Sequence, residues 1–142
     1  MKKQRGVTLI ELMIAVVVVG ILTAIAVPAY TAHIVQGKIA GGTAALAESK
    51  VRMEQIFNSM RSYYADGTAT CPDFKPLFTD TAFIVTVACT GTTFTVTATG
   101  DATKGMDGYI YSIDQSGDKQ SKTPAVPSSV ACWLKTRNQT SC

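Results

Sequence analysis

Histidine is almost absent from this 142-residue chain, whose only one is His33. A serine or cysteine nucleophile in a catalytic triad needs a histidine base. His33 lies directly after a long apolar segment, where we do not expect a catalytic site. The chain also has no C-x-x-C pair for zinc, and neither Gly41-Gly42 nor the glycines of 105–108 have the lysine and flanks of a phosphate-binding loop. We therefore expect a protein that is not an enzyme and holds no cofactor or metal.

Charged residues are also few, at 16% of the chain, and they are unevenly placed. Lys2, Lys3 and Arg5 stand at the amino terminus, where they favour a cytoplasmic position for that end of a membrane protein. The formal net charge is +3, and removal of these three from the thirteen basic residues leaves ten, equal to the ten acidic residues. Affinity for an anionic partner must therefore come from a local patch of the remaining chain.

An apolar run follows these charges, and it has an acid near its start. Residues 12–27 are apolar apart from Gly20 and Thr23, and Glu11 precedes them. The 21 residues from 7 to 27 are close to the ~20 that cross a bilayer as a helix. A charge at the bilayer centre costs about 3 kcal/mol. Glu11 is therefore either a boundary residue at the headgroups or a functional acid that needs a partner.

The residues KKQRG and VTLIEL, the aliphatic run and AVPAY together resemble the class III signal and first helix of type IV pilins. The resemblance covers roughly residues 2–30. It implies cleavage after Gly6 by a prepilin peptidase, which would also methylate the new first residue, Val7, where most relatives have phenylalanine. It further implies that Glu11 recruits each subunit by facing the terminal amine of a neighbour in the filament, so that the two charges offset each other.

An ordinary secretory signal is the competing interpretation, because Ala24-Ile25-Ala26 offers a small-x-small cleavage site. The apolar run is longer than the usual core of about 7–15 residues and has an acid near its start, which argues against such a signal.

Gly20 and Pro28 bracket a stretch of weaker helix, since glycine lowers helix propensity and proline lacks a backbone donor. The resemblance implies that this stretch melts in the filament, and a simple proline kink is the alternative.

Beyond Pro28 the pattern predicts a helix with one packing face, which we expect to end near Tyr63 or Tyr64. The residues of this face recur at steps of four and three: Val35, Ile39, Gly42, Leu46, Ser49, Met53, Ile56 and Met60.

Alternating side chains in the second half predict a small antiparallel sheet. Strands at 83–88 and 93–99 flank a hairpin, a third strand covers 109–113, and a polar, edge-like fourth strand covers 119–123. Packed on the helix, the sheet gives an α+β fold, the type IV pilin ladle with a long N-terminal helix on a small antiparallel sheet. The loop 65–80 would link the two.

The four cysteines, Cys71, Cys89, Cys132 and Cys142, favour an exported head with disulfides. Four cysteines allow three pairings. We prefer Cys71 with Cys89, which fastens the loop to the first hairpin, and Cys132 with Cys142, which closes the carboxy-terminal tail. The second pairing is also what the resemblance implies, because pilins usually have a disulfide-bounded region near this end.

The resemblance divides the chain into a leader peptide (1–6), a hydrophobic transmembrane or filament-core half helix (7–30) and a periplasmic or extracellular head (31–142). We expect a structural subunit of a type IV pilus, minor rather than major, that waits in the inner membrane as a single span before entering a surface fimbrium. Its partners would be other pilin subunits, the prepilin peptidase and the inner-membrane assembly platform. The filament would serve twitching motility, adhesion or DNA uptake. A major pilin and a type II secretion pseudopilin are alternatives.

DNA reception is the further alternative. The segment GYIYSIDQSGDKQSKT and Cys132-Trp133 make residues 63–142 similar, more loosely, to the heads of PilE-type minor pilins, a group that includes ComP-like DNA receptors. The same region offers cations for phosphates and aromatic rings for stacking, namely Lys104, Lys119, Lys122, Lys135 and Arg137, with Trp133 and Tyr111.

Overall fold

The structure is a computed structural model that describes residues 7–65, 69–78 and 81–142. Contacts divide the chain into two units, one ending at Ile34 and the other beginning at Val35. The elements within the described residues are one helix, α1, five strands, β1 to β5, and two single-turn 3₁₀ helices. In chain order they are α1 (Leu9–Met60), a 3₁₀ turn (Lys75–Leu77), β1 (Phe83–Cys89), β2 (Phe94–Gly100), a 3₁₀ turn (Ala102–Lys104), β3 (Ile110–Asp114), β4 (Lys119–Thr123) and β5 (Val126–Val130).

The amino-terminal unit is the apolar part of α1. Thr8 caps the helix, because its Oγ1 accepts the amide N–H of Glu11 at 3.3 Å. The helix has no break at Gly20 or Pro28, and the large apolar side chains from Val7 to Val27 are exposed. An 18-residue window of this helix has a mean hydropathy of 2.7 and no buried residues. The helix is therefore long and apolar enough to cross a membrane, although signal sequences share this length and composition.

In the second unit the remaining part of α1 packs against the sheet through the predicted face. Ile39, Leu46 and Met53 are at most 2% exposed and join one core with residues of β1, β2 and β3. Ser49 is equally buried, and its hydroxyl donates to the Ala45 carbonyl at 2.7 Å, which satisfies the polar group. Met60 lies outside the core at 44% exposed, so the packing face ends one turn earlier than the pattern predicts.

The helix ends at Met60 rather than near Tyr63 or Tyr64. Arg61 adopts a left-handed backbone with φ of 56°, and its amide donates to the Phe57 carbonyl at 2.7 Å, which closes the last turn. Tyr63 then folds back into the core, with ring centroids 4.6 Å from Phe57 and 4.8 Å from Phe94. The prediction placed the helix end near Tyr63 because Asp66-Gly67 is the next turn signal in the sequence.

The five strands form one antiparallel sheet in the order β1-β2-β3-β4-β5. The α+β prediction is confirmed, and the four predicted strands lie within one residue of their expected positions. The prediction of an edge-like β4 is wrong, because β5 pairs with it and takes the edge instead. Pro127 lies inside β5, and an edge strand tolerates a proline, since it needs no donor on its outer side. That proline and its neighbouring serines concealed the strand in the sequence.

Candidate functional site

Two buried hydroxyl groups fix the start of the carboxy-terminal tail. Leu134 is fully buried, its amide donates to Ser121 Oγ at 3.1 Å, and its carbonyl accepts from Tyr111 Oη at 2.8 Å. Ser121 Oγ also donates to the Cys132 carbonyl at 2.6 Å. The tail therefore leaves the sheet on a defined path, because a buried carbonyl or amide without these partners would cost about 1–3 kcal/mol.

This path presents Trp133 at the surface beside β4. The indole Nε1 donates to the Ser112 carbonyl at 2.9 Å, so the ring is held at one edge while the side chain stays partly exposed. The Lys119 ammonium lies 4.7 Å from the ring centroid, over its face. Such a cation–π contact contributes about 0.5–1 kcal/mol at an exposed site.

Two lysines and the indole line one surface cavity. Its volume is about 360 Å³, and Lys119, Trp133 and Lys135 line it together with Gln139 and the Cys132–Cys142 disulfide. We call Lys119, Trp133 and Lys135 the Trp133 cluster. The tail loop around it is ordered by Gln139, whose Oε1 accepts the Lys135 amide at 2.8 Å. The cluster combines positive charge with an aromatic face, the pair of features that bind the phosphates and bases of a nucleic acid.

Both cysteine pairs in the structure are those that we preferred from the sequence. Cys132 is joined to Cys142, and Cys71 to Cys89. The first bond returns the end of the tail to the base of the Trp133 cluster. The second fastens the loop after α1 to the end of β1.

The other predicted DNA contacts do not join the cluster. Lys122 and Gln120 lie on the outer face of the sheet. Their neighbours in β4, Ser121 and Thr123, alternate with them and are buried on the inner face. Lys104 lies against the segment before β1, where its Nζ donates to the Thr81 carbonyl at 2.7 Å.

Arg137 is exposed in the tail loop, three residues after the buried Leu134. The stacking role proposed for Tyr111 is wrong, because the ring is fully buried. The same burial raises the pKa of the Tyr111 hydroxyl far above the usual value. An alternating strand puts every second side chain inward, and Tyr111 is on the inward side of β3.

Two family matches cover successive parts of the chain. Residues 1–27 match the prokaryotic N-terminal methylation motif, and residues 28–108 match the family of the type IV minor pilin ComP, described as a DNA uptake sequence receptor. The chain belongs to the ComP family of type IV minor pilins. The second match ends before Lys119, so the geometry of the Trp133 cluster is an observation independent of it.

Individual relatives of this pilin are fimbrial proteins. The type IV major fimbrial protein FimA of Dichelobacter nodosus is 40% identical over 73 residues, 51% of this chain and 41% of the relative. Fimbrial protein EcpB of Eikenella corrodens is 45% identical over 56 residues, 39% and 35% of the two chains. A probable minor fimbrial protein of Dichelobacter nodosus is 34% identical over 71 residues, 50% and 45%. The match spans less than half the length of each relative.

These matches confirm the type IV pilin resemblance, and they place the chain in a family of structural pilins. In the pilin itself Val7 is 72% exposed and Glu11 is exposed in the first turn of α1, where an acid interacts favourably with the helix dipole. Gly6 and the rest of the expected leader lie outside the described residues. Within the described part of the chain, no group of three or more histidine, cysteine or acidic side chains is placed to hold a metal.

Sequence reasoning missed the two residues that fix the cluster, Tyr111 as a hydrogen-bond donor and Ser121 as a bridge. The alternation of β4 does indicate that Ser121 faces inward. Ser121 is two positions from Thr123, so the two side chains lie on the same face of the strand, and the polar residues on either side of Ser121 lie on the other face.

Proposed function

We propose that this protein is a minor subunit of a type IV pilus and that its head captures DNA at the Trp133 cluster. The observation that carries the proposal is the placement of Lys119 and Lys135 around a partly exposed indole in one cavity. Without the leader charges the chain is neutral, so a local site of this kind is what binding to a polyanion requires. The description of the matched family as a DNA uptake sequence receptor supports the same function.

A salt titration tests DNA capture. The logarithm of the association constant falls with the logarithm of salt concentration, with a slope of about −0.9 for each phosphate that the protein neutralises. The full chain in detergent is titrated with labelled duplex DNA over a range of KCl concentrations. Lys135→Ala is expected to reduce the slope by about 0.9, because it removes one cluster cation.

The matched control is Lys122→Ala, which removes the same charge from the outer face of the sheet. It is expected to leave both affinity and slope at the wild-type values. Equal losses in the two variants would mean that charge alone, and not the cluster, decides binding. Absence of binding by the wild-type chain would end the DNA proposal.

The assembly part of the proposal concerns the amino-terminal unit. A prepilin peptidase cleaves after Gly6 and methylates Val7, and Glu11 then recruits the subunit against the terminal amine of a neighbour at the inner-membrane platform. The apolar side chains of residues 7–27 are exposed, and packing against other pilin helices in the filament would remove them from water or lipid. Gly20 and Pro28 bracket the stretch of helix that melts on packing, and residues 31–142 form the head at the filament surface.

Intact-mass analysis of sheared filaments tests assembly. The expected species is the chain from Val7 with one added methyl group and both disulfides, present in trace relative to a major pilin. Glu11→Ala is expected to deplete this species, and Glu48→Ala, an acid exposed on the head part of α1, serves as the control. A dominant amount would make the protein a major pilin. Its absence from filaments but retention in the membrane would favour a secretion pseudopilin.

A further inference from the structure

A second cavity lies between Trp133 and helix α1. Its volume is about 370 Å³, and its lining consists of Gln36, Ile39, Ala40, Thr43, Ala44, Trp133 and Lys135. Trp133 and Lys135 also belong to the first cavity, whereas Lys119 lines only the first. Lys119 lies over the indole ring but does not line the second cavity, so a planar ligand in this cavity can contact the indole without displacing Lys119.

The lining fits a flat molecule with apolar faces and polar edges. Ile39, which is 2% exposed, lines the cavity together with the small side chains of Ala40 and Ala44. The single hydroxyl proton of Thr43 is shared between the carbonyls of Ile39 and Ala40, at 3.0 and 3.1 Å, so the hydroxyl oxygen can accept a hydrogen bond from a ligand.

The rim has the charge that a nucleotide needs. Lys135 lines both cavities and can pair with a phosphate at the mouth of either one. The Gln36 amide offers both a donor and an acceptor for the edge of a base. This continuity with the Trp133 cluster favours a nucleic acid over an apolar helix of a second copy of the chain, which would bring no negative charge to Lys135.

We propose that the cavity between α1 and Trp133 takes one unpaired nucleobase of bound DNA, stacked on the indole, with its phosphate against Lys135. The inference rests on the proposed function and adds the substrate form: single-stranded DNA, or a duplex with an extrahelical base. A base inside a regular duplex is stacked and must be extruded before it can enter such a pocket, which lowers affinity.

The test uses the fluorescence of Trp133, the single tryptophan of the chain. The full chain in detergent is titrated with three probes: a single-stranded oligonucleotide of about 16 nucleotides, the matched perfect duplex, and inorganic polyphosphate, which has charge but no bases. We expect single-stranded DNA to bind more tightly than the duplex and to quench the tryptophan, and polyphosphate to bind without comparable quenching.

A cavity-filling variant separates stacking from charge. Ala40→Phe places a ring in the cavity, and Ala47→Phe adds the same ring to an exposed position of α1 that does not line it. Stacking of one base changes affinity about 5- to 150-fold. Ala40→Phe is therefore expected to weaken single-stranded DNA binding at least about fivefold and leave polyphosphate binding unchanged, whereas Ala47→Phe matches the wild type.

Each contrary outcome has a distinct meaning. Equal DNA affinity of Ala40→Phe and Ala47→Phe, with the Lys135 effect on the salt slope intact, overturns the nucleobase site and leaves DNA capture standing. Loss of self-association in Ala40→Phe without loss of DNA binding assigns the cavity to a second copy of the chain and also overturns it. A wild-type chain that binds neither DNA nor polyphosphate overturns the proposed function itself.

Discussion

Two adjacent glycines of α1 are predicted to respond in opposite directions to the same substitution. A Cβ atom at Gly41 would meet nothing within 4 Å, whereas one at Gly42 would lie 2.5 Å from Cδ2 and 2.8 Å from Cε2 of Phe83. Alanine is more favourable than glycine in a helix interior by about 0.5–1 kcal/mol. Gly41→Ala should therefore raise the free energy of unfolding by that amount.

At Gly42 the same gain is opposed by a steric clash. Phe83 is 3% exposed and packs edge-on against Tyr111 with ring centroids 5.7 Å apart, so its ring has no free space into which to move. Overpacking of this kind costs about 1–3 kcal/mol. The helix-propensity gain is the same in both variants and cancels in their comparison, so we expect Gly42→Ala to lie about 1–3 kcal/mol below Gly41→Ala in the free energy of unfolding.

The assay is urea unfolding of the full chain in detergent, followed by Trp133 fluorescence, which reports on the head. Near-ultraviolet circular dichroism of each folded variant checks that the aromatic core is unchanged. A Gly42→Ala protein as stable as Gly41→Ala would refute the close approach of α1 to β1, and with it the reasoning that glycine is required there.

Three further variants test hydrogen bonding, packing and the pH dependence of stability. Tyr111→Phe leaves the Leu134 carbonyl unpaired and should lower the free energy of unfolding by about 1–3 kcal/mol. Because burial raises the pKa of Tyr111, the stability of the wild type should fall as pH rises above about 10. An equal fall in Tyr111→Phe would contradict the assignment of this pH dependence to Tyr111. Gly100→Ala directs a Cβ against the Met106 carbonyl oxygen and should lower the melting temperature, whereas an unchanged value would refute the packing. Hydrogen bonds from Thr103 lower the pKa of Asp101, so the stability that the ionised carboxylate contributes should be lost as pH falls below about 4. Asp101→Asn should therefore lose less stability than the wild type over the same fall in pH.

The sequence predicted the packing of α1 and four strands because each has a regular period. Ile39, Leu46 and Met53 recur at helical spacing, and the same residues are buried. β5 has no such signal, since Val126 and Val130 are separated by a proline and two serines. It exists because the two-residue turn at Pro124 and Ala125 returns the chain alongside β4.

The candidate site could be predicted in residue type but not in arrangement. Composition and the cysteine pattern pointed to Lys119, Trp133 and Lys135, yet the same reasoning included Lys122, which the pleat of β4 turns to the opposite face. Grouping them correctly requires the path of the tail, and that path depends on hydrogen bonds that join Tyr111 and Ser121 to residues more than ten positions away. Alternation along β4 shows which side chains face inward, but no local pattern in a sequence identifies their long-range partners.

Uptake of labelled DNA by cells that produce this pilin tests the central claim most directly. The chromosomal gene is replaced by the wild type, by a Lys119→Ala and Lys135→Ala double variant, or by Lys122→Ala, and subunit incorporation is measured in sheared filaments from the same cells. We predict that the double variant enters filaments normally but loses DNA uptake, and that Lys122→Ala retains it. Normal uptake by the double variant would contradict the assignment of DNA capture to the Trp133 cluster.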